Sequence, residues 1–161
     1  MNEDSVFLLA RTSALLIAEP SSDARRLVGK DIDGLAQLFA DASVGVTTVA
    51  EARRQIDELA LGAHGEPWLS AWLGIYEGGS VPVAAIVCTR RGGVPYVAHV
   101  ATAPGSQGRG HASSLIRAVA AIAEAAGDTA LGGVVERESS SMRLYLELGF
   151  DEIAAPAGLL S

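Results

Sequence analysis

The spacing of apolar residues changes character along the chain, and each change marks a different kind of element. Residues 13–18 form an apolar run and are predicted as a strand ended by Glu19-Pro20, with a polar loop over residues 21–23. Leu35, Leu38 and Phe39 then recur at helical spacing, with Asp31 or Asp33 as the N-cap of a helix that reaches Ala40. A second helix starts after Thr47-Thr48. It carries Val49, Ala52, Ile56, Leu59 and Ala60 inward and Glu51, Arg53, Arg54 and Asp57 outward, and Gly62, Gly65 and Pro67 stop it. Beyond Pro67 the helical period is lost. Residues 68–76, 81–89 and 94–102 read as strands, separated by the turns Glu77-Gly78-Gly79-Ser80 and Arg90-Arg91-Gly92-Gly93. Short glycine-bearing turns between adjacent runs predict an antiparallel meander. Helical spacing returns over residues 110–126, through Leu115, Ile116, Val119 and Ile122, and Gly127 closes it. A strand over 129–136, a helix over 139–148 closed by Gly149 and a strand over 150–153 follow. The predicted order is strand, two helices, three strands, helix, strand, helix, strand. That order predicts an α/β (α+β) fold, a mixed sheet in which an antiparallel meander feeds a β-α-β unit.

Length and composition narrow the classes. At 161 residues the chain makes one ordinary domain. Residues 1–24 are set apart as an N-terminal extension, with an extra strand as one option, and residues 25–161 as the domain proper. Hydrophobic residues make up 49% and charged residues 19%, a globular balance. The formal net charge of −7 argues against a nucleic-acid partner, which requires clustered positive charge. Cys88 stands alone, which excludes an intrachain disulfide and a multi-cysteine zinc site. His64, His99 and His111 are scattered, so no metal is expected. No basic segment precedes the apolar run at residues 6–10, and no stretch has the length of a membrane span. The expectation is a cytoplasmic protein without a membrane partner.

The chemistry concentrates after the third strand of the meander, in Val100-Ala101-Thr102-Ala103-Pro104-Gly105-Ser106-Gln107-Gly108-Arg109-Gly110-His111-Ala112-Ser113. A strand ends, a glycine-rich turn follows, and a long helix begins. Unpaired N–H groups of a first helical turn converge on one point, and the helix dipole favours negative charge there. Gly108 and Gly110 remove Cβ atoms, so a phosphate can approach the backbone closely. Hydrogen bonds to a charged acceptor contribute about 1.5–3 kcal/mol each, enough for several amides to hold a diphosphate without a lysine. No Lys-Ser/Thr pair follows the glycines, so this is not a P-loop, and Ser113 stands where a dinucleotide fingerprint has its third glycine. Taken alone, the turn is equally compatible with a plain strand-to-helix connection.

Gln107-Gly108-Arg109-Gly110-His111-Ala112 resembles the Q/R-x-x-G-x-G/A signature of the GNAT acetyltransferase superfamily. The preceding Val100 to Pro104 resembles the end of that family's fourth strand. Downstream, Leu144-Tyr145-Leu146-Glu147-Leu148-Gly149-Phe150 resembles its LYxxLGF motif. One helix and one strand separate the motifs, as in the family, and the resemblance covers roughly residues 25–155. It implies a GNAT-like mixed sheet and acetyl-CoA as co-substrate, lying between two splayed parallel strands at residues 94–102 and 129–136. Backbone groups of Val100, Ala101 and Thr102 would hold the pantetheine arm and polarise the acetyl carbonyl. Gln107, Gly108, Arg109, Gly110, His111, Ala112 and Ser113 would wrap the pyrophosphate. An amine, on a small molecule or a protein, would attack directly, with Tyr145 as general acid toward the departing thiolate. The reading of Tyr145 from its neighbours alone is a core aromatic beside Leu144, Leu148 and Phe150.

Two departures stand out. Many relatives carry Asn seven residues before the tyrosine, where this chain has Glu138, followed by Ser139-Ser140-Ser141. Relatives also add a strand after the segment at Phe150, where this chain offers only Leu159-Leu160. Either the sheet is shortened, or the segment 13–18 covers its edge, or a second copy does so in a homodimer.

No general base stands out. His99 and Glu136 sit on the strands that would flank the co-substrate. Strand alternation puts His99 on the face opposite Ala98 and Val100 and favours a packed or edge histidine. Glu77 and Glu66 have weaker cases, His64 reads as a loop residue, and His111 is expected to offer its backbone N–H rather than its imidazole. Trp68 and Trp72, four apart in one predicted strand, would share a face, as core or as walls of an acceptor pocket. Cys88 reads as a buried small hydrophobe. Arg90-Arg91 reads as a solvated cationic turn or as a contact for the CoA 3′-phosphate. The leading function is an acetyl-CoA-dependent N-acetyltransferase. The alternatives are a non-catalytic acyl-CoA-binding regulatory module, which would not need Tyr145, and a nucleotide-binding domain resting on the glycine turn alone.

Overall fold

The computed structural model describes residues 4–18 and 23–154. Its strands are β1 (Ser5–Arg11), β2 (Ala24–Arg26), β3 (Glu66–Pro67), β4 (Leu73–Ile75), β5 (Ala84–Arg91), β6 (Val94–Thr102), β7 (Ala130–Glu136) and β8 (Asp151–Ile153). Its α-helices are α1 (Thr12–Leu15), α2 (Ile32–Ala42), α3 (Val49–Ala60), α4 (His111–Ala125) and α5 (Ser140–Leu148). One sheet runs in the order β2-β4-β5-β6-β7-β1-β8, and β3 also pairs with β5. All pairings are antiparallel except β6 with β7, which α4 connects as a β-α-β unit. This is the expected mixed α/β sheet, an antiparallel meander followed by a β-α-β unit.

The sheet separates two apolar layers. On one face Leu115, Ile116 and Val119 of α4 pack with Leu8, Ile86, Val97, Tyr145 and Phe150. On the other, Leu35, Leu38 and Phe39 of α2 and Ala52 and Ile56 of α3 pack with Ala85, Val87 and Ala101. The helix boundaries follow local chemistry. Thr48 caps α3 by accepting the Glu51 N–H at 3.1 Å, and Ser139 caps α5 by accepting the Met142 N–H at 3.0 Å. Val49 and Ala60, assigned to the inner face of α3, stay exposed, because only the Ala52–Ile56 stripe meets the sheet. Asp31 directly precedes α2, yet its carboxylate does not cap that helix. It turns back to accept from Arg25 at 3.0 Å, the Val28 N–H at 2.8 Å and the Tyr76 hydroxyl at 3.3 Å. The Arg25 hydrogen bond is the main reason its pKa lies below the ordinary carboxylate value.

Three sequence expectations are corrected. The strand predicted at residues 13–18 is absent: Thr12–Leu15 form the helical turn α1, and the strand is the preceding apolar run Ser5–Arg11. The reason is register. Arg11 pairs with Ala130, the first residue of β7, so a strand continued past Arg11 has no partner there. Instead the Thr12 N–H bonds the Thr129 carbonyl at 3.0 Å, and the chain turns. β1 pairs with β7 along its whole length and with β8 at Phe7, Leu8 and Leu9, so it lies inside the sheet. It therefore takes the place beside β7 for which the sequence offered three explanations. Glu19-Pro20, Ser21-Ser22 and Leu159-Leu160 lie outside the described residues.

The second correction concerns residues 68–76. A 3-10 turn at Leu69–Ala71 breaks the predicted strand and leaves only β4. That turn sends the two tryptophans to opposite faces. Trp68 packs on the α4 side and Trp72 on the α2 side, where its indole N–H donates to the Cys88 carbonyl at 2.9 Å. Neither borders the clefts described below. The third correction is that Arg90 and Arg91 belong to β5 itself, so only Gly92-Gly93 make the turn to β6.

Leu8 is fully buried at the centre of β1. Replacing it with Ala is expected to cost about 2–5 kcal/mol of stability. Urea denaturation would show this as a lowered midpoint, and a shift within error would mean that β1 is not integral to the sheet.

Candidate functional site

β6 and β7 run side by side for only two residue pairs, Tyr96 with Gly132 and Val97 with Gly133, and then diverge. Two local features cause the divergence. Across β5, Val87 pairs with His99 but Cys88 pairs with Val97, so Ala98 is an extra residue on β6, a β-bulge. A bulge bends its strand and increases the local twist. On β7, Gly132 and Gly133 give up their side chains to aromatic rings. A Cβ on Gly132 would meet the Tyr96 ring at 2.4 Å, and one on Gly133 would meet the Tyr145 ring at 2.8 Å. The rings thus fill the base of the fork, and the fork opens beyond them.

The bulge also reverses the parity of the strand. His99 does not lie opposite Ala98 as simple alternation predicts. It shares the α2 face with Ala98, and its ring meets Phe39 edge-on at 4.6 Å. The imidazole is reachable by solvent yet closely walled by protein, and this desolvation lowers its pKa below the ordinary value.

Three clefts meet at His99. The first has a volume of about 610 Å³ and runs from Phe39, Ser43 and Gln55 past His99 to Val100, Ala101 and Thr102, then on to the glycine turn and the start of α5. The second, of about 430 Å³, extends from His99 toward the other end of β6, between α3 and the sheet. The third, of about 250 Å³, lies in the fork itself, between Ala98, Val134, Glu136, Ser141 and Tyr145.

The residues singled out in the sequence fall into place unevenly. Val100, Ala101, Thr102, Gln107, Gly108, Gly110, His111, Ala112 and Ser113 all line the first cleft. Arg109 does not; its guanidinium turns outward to Glu77 at 3.3 Å. Gly108 and Gly110 have φ of +79° and +78°, the left-handed region, and a Cβ on either would meet no atom within 4 Å. The backbone at the N-terminus of α4 is therefore bare toward the cleft. The His111 side chain also lines the cleft, with its Nε2 buried and without a hydrogen-bond partner. Orphan helical N–H groups, open space and an unpaired imidazole nitrogen suit a phosphate-bearing ligand.

Tyr145 is almost wholly buried, held between Gly133 and the Phe150 ring, whose centroid is 4.8 Å away. It borders the fork cleft, and burial is the main cause that raises its pKa and keeps the phenol protonated. Glu138 is exposed with φ of +61°, while Ser140 and Ser141 face the first cleft. The residue in place of the usual Asn thus stands outside the cleft, and serines occupy the wall. Cys88 is fully buried, and burial raises its thiol pKa, so it is unsuited to act as a nucleophile. His64 lies in the loop after α3, 3.8 Å from Glu58. Neither Arg90 nor Arg91 borders the glycine turn.

The sequence reading passed over Phe39, Ala42, Ser43 and Gln55, which form the wall opposite β6. Phe39 was visible only as an apolar position of α2. The single signal available for Gln55 was its polar place beside the inner stripe of α3.

Residues 72–157 match the family profile of the FR47-like proteins. Among solved structures, a GCN5-related N-acetyltransferase from Sphaerobacter thermophilus is similar over 92% of this chain and 48% of its own, with 17% identity and a TM-score of 0.68. PaiA N-acetyltransferase from Thermoplasma acidophilum, in complex with coenzyme A, matches over 83% of this chain and 92% of its own, with 14% identity and a TM-score of 0.64. The aminoglycoside N-acetyltransferase AAC(6')-Iy, in complex with CoA, matches over 88% of this chain and 95% of its own, with 15% identity and a TM-score of 0.60. The chain thus spans about half the length of the Sphaerobacter protein and nearly all of the other two. No curated protein sequence matches significantly.

Replacing Gly108 with Val would strain the left-handed backbone and fill the open space before α4. Calorimetry is expected to show coenzyme A binding weakened by about tenfold or more, the equivalent of one charged hydrogen bond lost. Unchanged affinity would mean that the turn is only a connection.

Proposed function

This chain belongs to the FR47-like family and with it to the GCN5-related N-acetyltransferase superfamily, and from that premise we propose that it transfers an acetyl group from acetyl-CoA to a primary amine by direct attack. The observation that carries the proposal is the continuous cleft from the bare N-terminus of α4, along the unpaired edge of β6, to His99 and Tyr145. In this reading the amides around Gln107 to Ser113, with the His111 imidazole, hold the pyrophosphate. The edge of β6 at Val100, Ala101 and Thr102 aligns the pantetheine arm as a strand would, and a backbone N–H there polarises the thioester carbonyl.

His99 accepts the proton of the attacking amine. Its lowered pKa keeps it neutral at pH 7, the form a base requires. The charged and titratable groups around it across the three clefts are Glu58, His64, Arg91 and Tyr96 on one side, Glu136 and Tyr145 on the other, and His111 along the first cleft. The amine nitrogen bonds to the carbonyl carbon as the carbon–sulfur bond breaks, and the Tyr145 hydroxyl gives its proton to the departing sulfur. Burial suits that task, since it holds the phenol protonated until a stronger base appears beside it. An acyl-CoA-binding module without catalysis would use the same cleft but leave Tyr145 idle.

Calorimetric titration with acetyl-CoA, with ATP and NAD as controls, tests the binding half. Saturable binding of acetyl-CoA alone is expected. Tyr145→Phe is expected to retain that binding while turnover with an amine library falls by about 10²–10⁴-fold. Equal turnover in the variant would remove the general-acid role, and binding without any turnover would favour the regulatory module.

The pH profile tests His99. Its folded pKa lies below 6.5, so the neutral base dominates at pH 7 and is lost only as pH falls below about 6.5. The acid limb of kcat/KM is therefore expected below pH 6.5, and His99→Gln is expected to abolish that limb and lower the plateau by about 10²-fold or more. An acid limb that persists in the variant would assign the base elsewhere.

A further inference from the structure

Arg90 and Arg91 are consecutive in β5 and, by alternation, leave opposite faces of the sheet. Arg90 is fully engaged. It forks Asp128 with contacts of 3.0 and 2.7 Å, donates to the Gly93 carbonyl at 3.1 Å and lies 4.3 Å over the Trp68 ring. Arg91 borders the second cleft, and it makes no ion pair among the described residues. Its Nε is buried without a hydrogen-bond partner. Two residues earlier on the same face, Thr89 is 1% exposed, and its hydroxyl is likewise buried without a partner. Buried polar atoms are paired as a rule, so each exception asks for an explanation. Among the described residues there are three such atoms, and all belong to residues that line the first two clefts: His111 Nε2 in the first, Thr89 Oγ1 and Arg91 Nε in the second.

A guanidinium whose Nε–H is free presents that bond and a neighbouring Nη–H as a side-on fork matched to the two oxygens of a carboxylate. The Thr89 hydroxyl adds a third donor. Between this pair and His99 the cleft wall is apolar or aromatic: Leu59, Tyr96, Val97, Ala98 and Val134. Glu58 and His64 on this cleft face each other at 3.8 Å, and its remaining titratable groups besides Arg91 are Tyr96 and His99. One cation without a counter-ion suits a monoanion. Thr89 lies two residues along β5 from Val87, the partner of His99, a span of about 7 Å at about 3.4 Å per residue.

We propose that Thr89 and Arg91 form the anion subsite of the acceptor cleft, and that the acceptor is an amine carrying a carboxylate several bonds away across an apolar stretch. The inference rests on the acetyl-transfer reading of the adjoining cleft, which fixes the amine end at His99. The lowered pKa of Arg91, caused chiefly by desolvation, is consistent with a cation that lacks its anion.

The test is a calorimetric titration of coenzyme A-saturated protein with 6-aminohexanoate, hexylamine and 1,6-diaminohexane, in the wild type and in Arg91→Gln, Arg91→Lys and Thr89→Val. The wild type is expected to bind 6-aminohexanoate about tenfold or more tightly than either amine without a carboxylate. Arg91→Gln is expected to erase that preference at unchanged coenzyme A affinity and melting temperature, and Arg91→Lys to retain part of it. Thr89→Val is expected to weaken 6-aminohexanoate alone. Absence of 6-aminohexanoate binding, equal binding of hexylamine, or a preference that survives Arg91→Gln would overturn the proposal. Arg91→Lys decides the matter if Arg91→Gln does not fold: a preference it leaves whole overturns the proposal. Failure of coenzyme A to bind would instead count against the acetyl-transfer reading, and the same titrations without coenzyme A would still decide the anion subsite.

Discussion

β6 must leave β7 while staying bonded to β5, and everything in the candidate site depends on how it does so. The extra residue at Ala98 lets the β5 ladder resume at His99 while the strand bends away from β7. Gly132 and Gly133 let the rings of Tyr96 and Tyr145 lie directly on the β7 backbone at the point of divergence. The fork is thus held open by packed rings rather than by a vacancy, and Tyr145 is fixed beside it. Without the bulge, parity would aim His99 into the α4 layer. With it, the imidazole lies on the α2 side, where the three clefts meet.

The sheet acts as a partition. One face is a dense apolar layer under α4 and α5, in which Arg90 is neutralised by Asp128 at the margin. The other face is covered only in part by α2 and α3, and the uncovered remainder is the cleft system. This asymmetry explains why neighbouring arginines differ so sharply. Arg90 meets an aspartate and a tryptophan, whereas Arg91 meets an open wall with an unpaired threonine beside it. The unsatisfied polar atoms gather on the side where a ligand can supply what the protein does not.

β1 completes the arrangement from a distance. By filling the position between β7 and β8, it gives β7 a full antiparallel partner. β7 can then hold its line while β6 departs, because its ladder does not rely on the short parallel pairing at Tyr96 and Val97.

What the linear order carried was local: β6 at residues 94–102 has the predicted bounds, the ends of α4, β7 and α5 fall within one residue, and Thr47-Thr48 and Gly149 marked helix ends correctly. These follow from periodicity, caps and glycine, which act over a few neighbouring residues. The glycine turn and the tyrosine motif were legible for the same reason, and through them the superfamily. Only the tertiary structure decided the rest. A bulge at Ala98 has no local signature, since Tyr96-Val97-Ala98-His99 reads as an ordinary strand, and the register across from β5 creates it. The end of β1 at Arg11 depends on where β7 begins, more than a hundred residues later. The separation of Trp68 from Trp72, the roles of Phe39 and Gln55, and the contrast between Arg90 and Arg91 likewise depend on which face each residue meets. That is a property of long-range pairing, and a one-residue change of register inverts it.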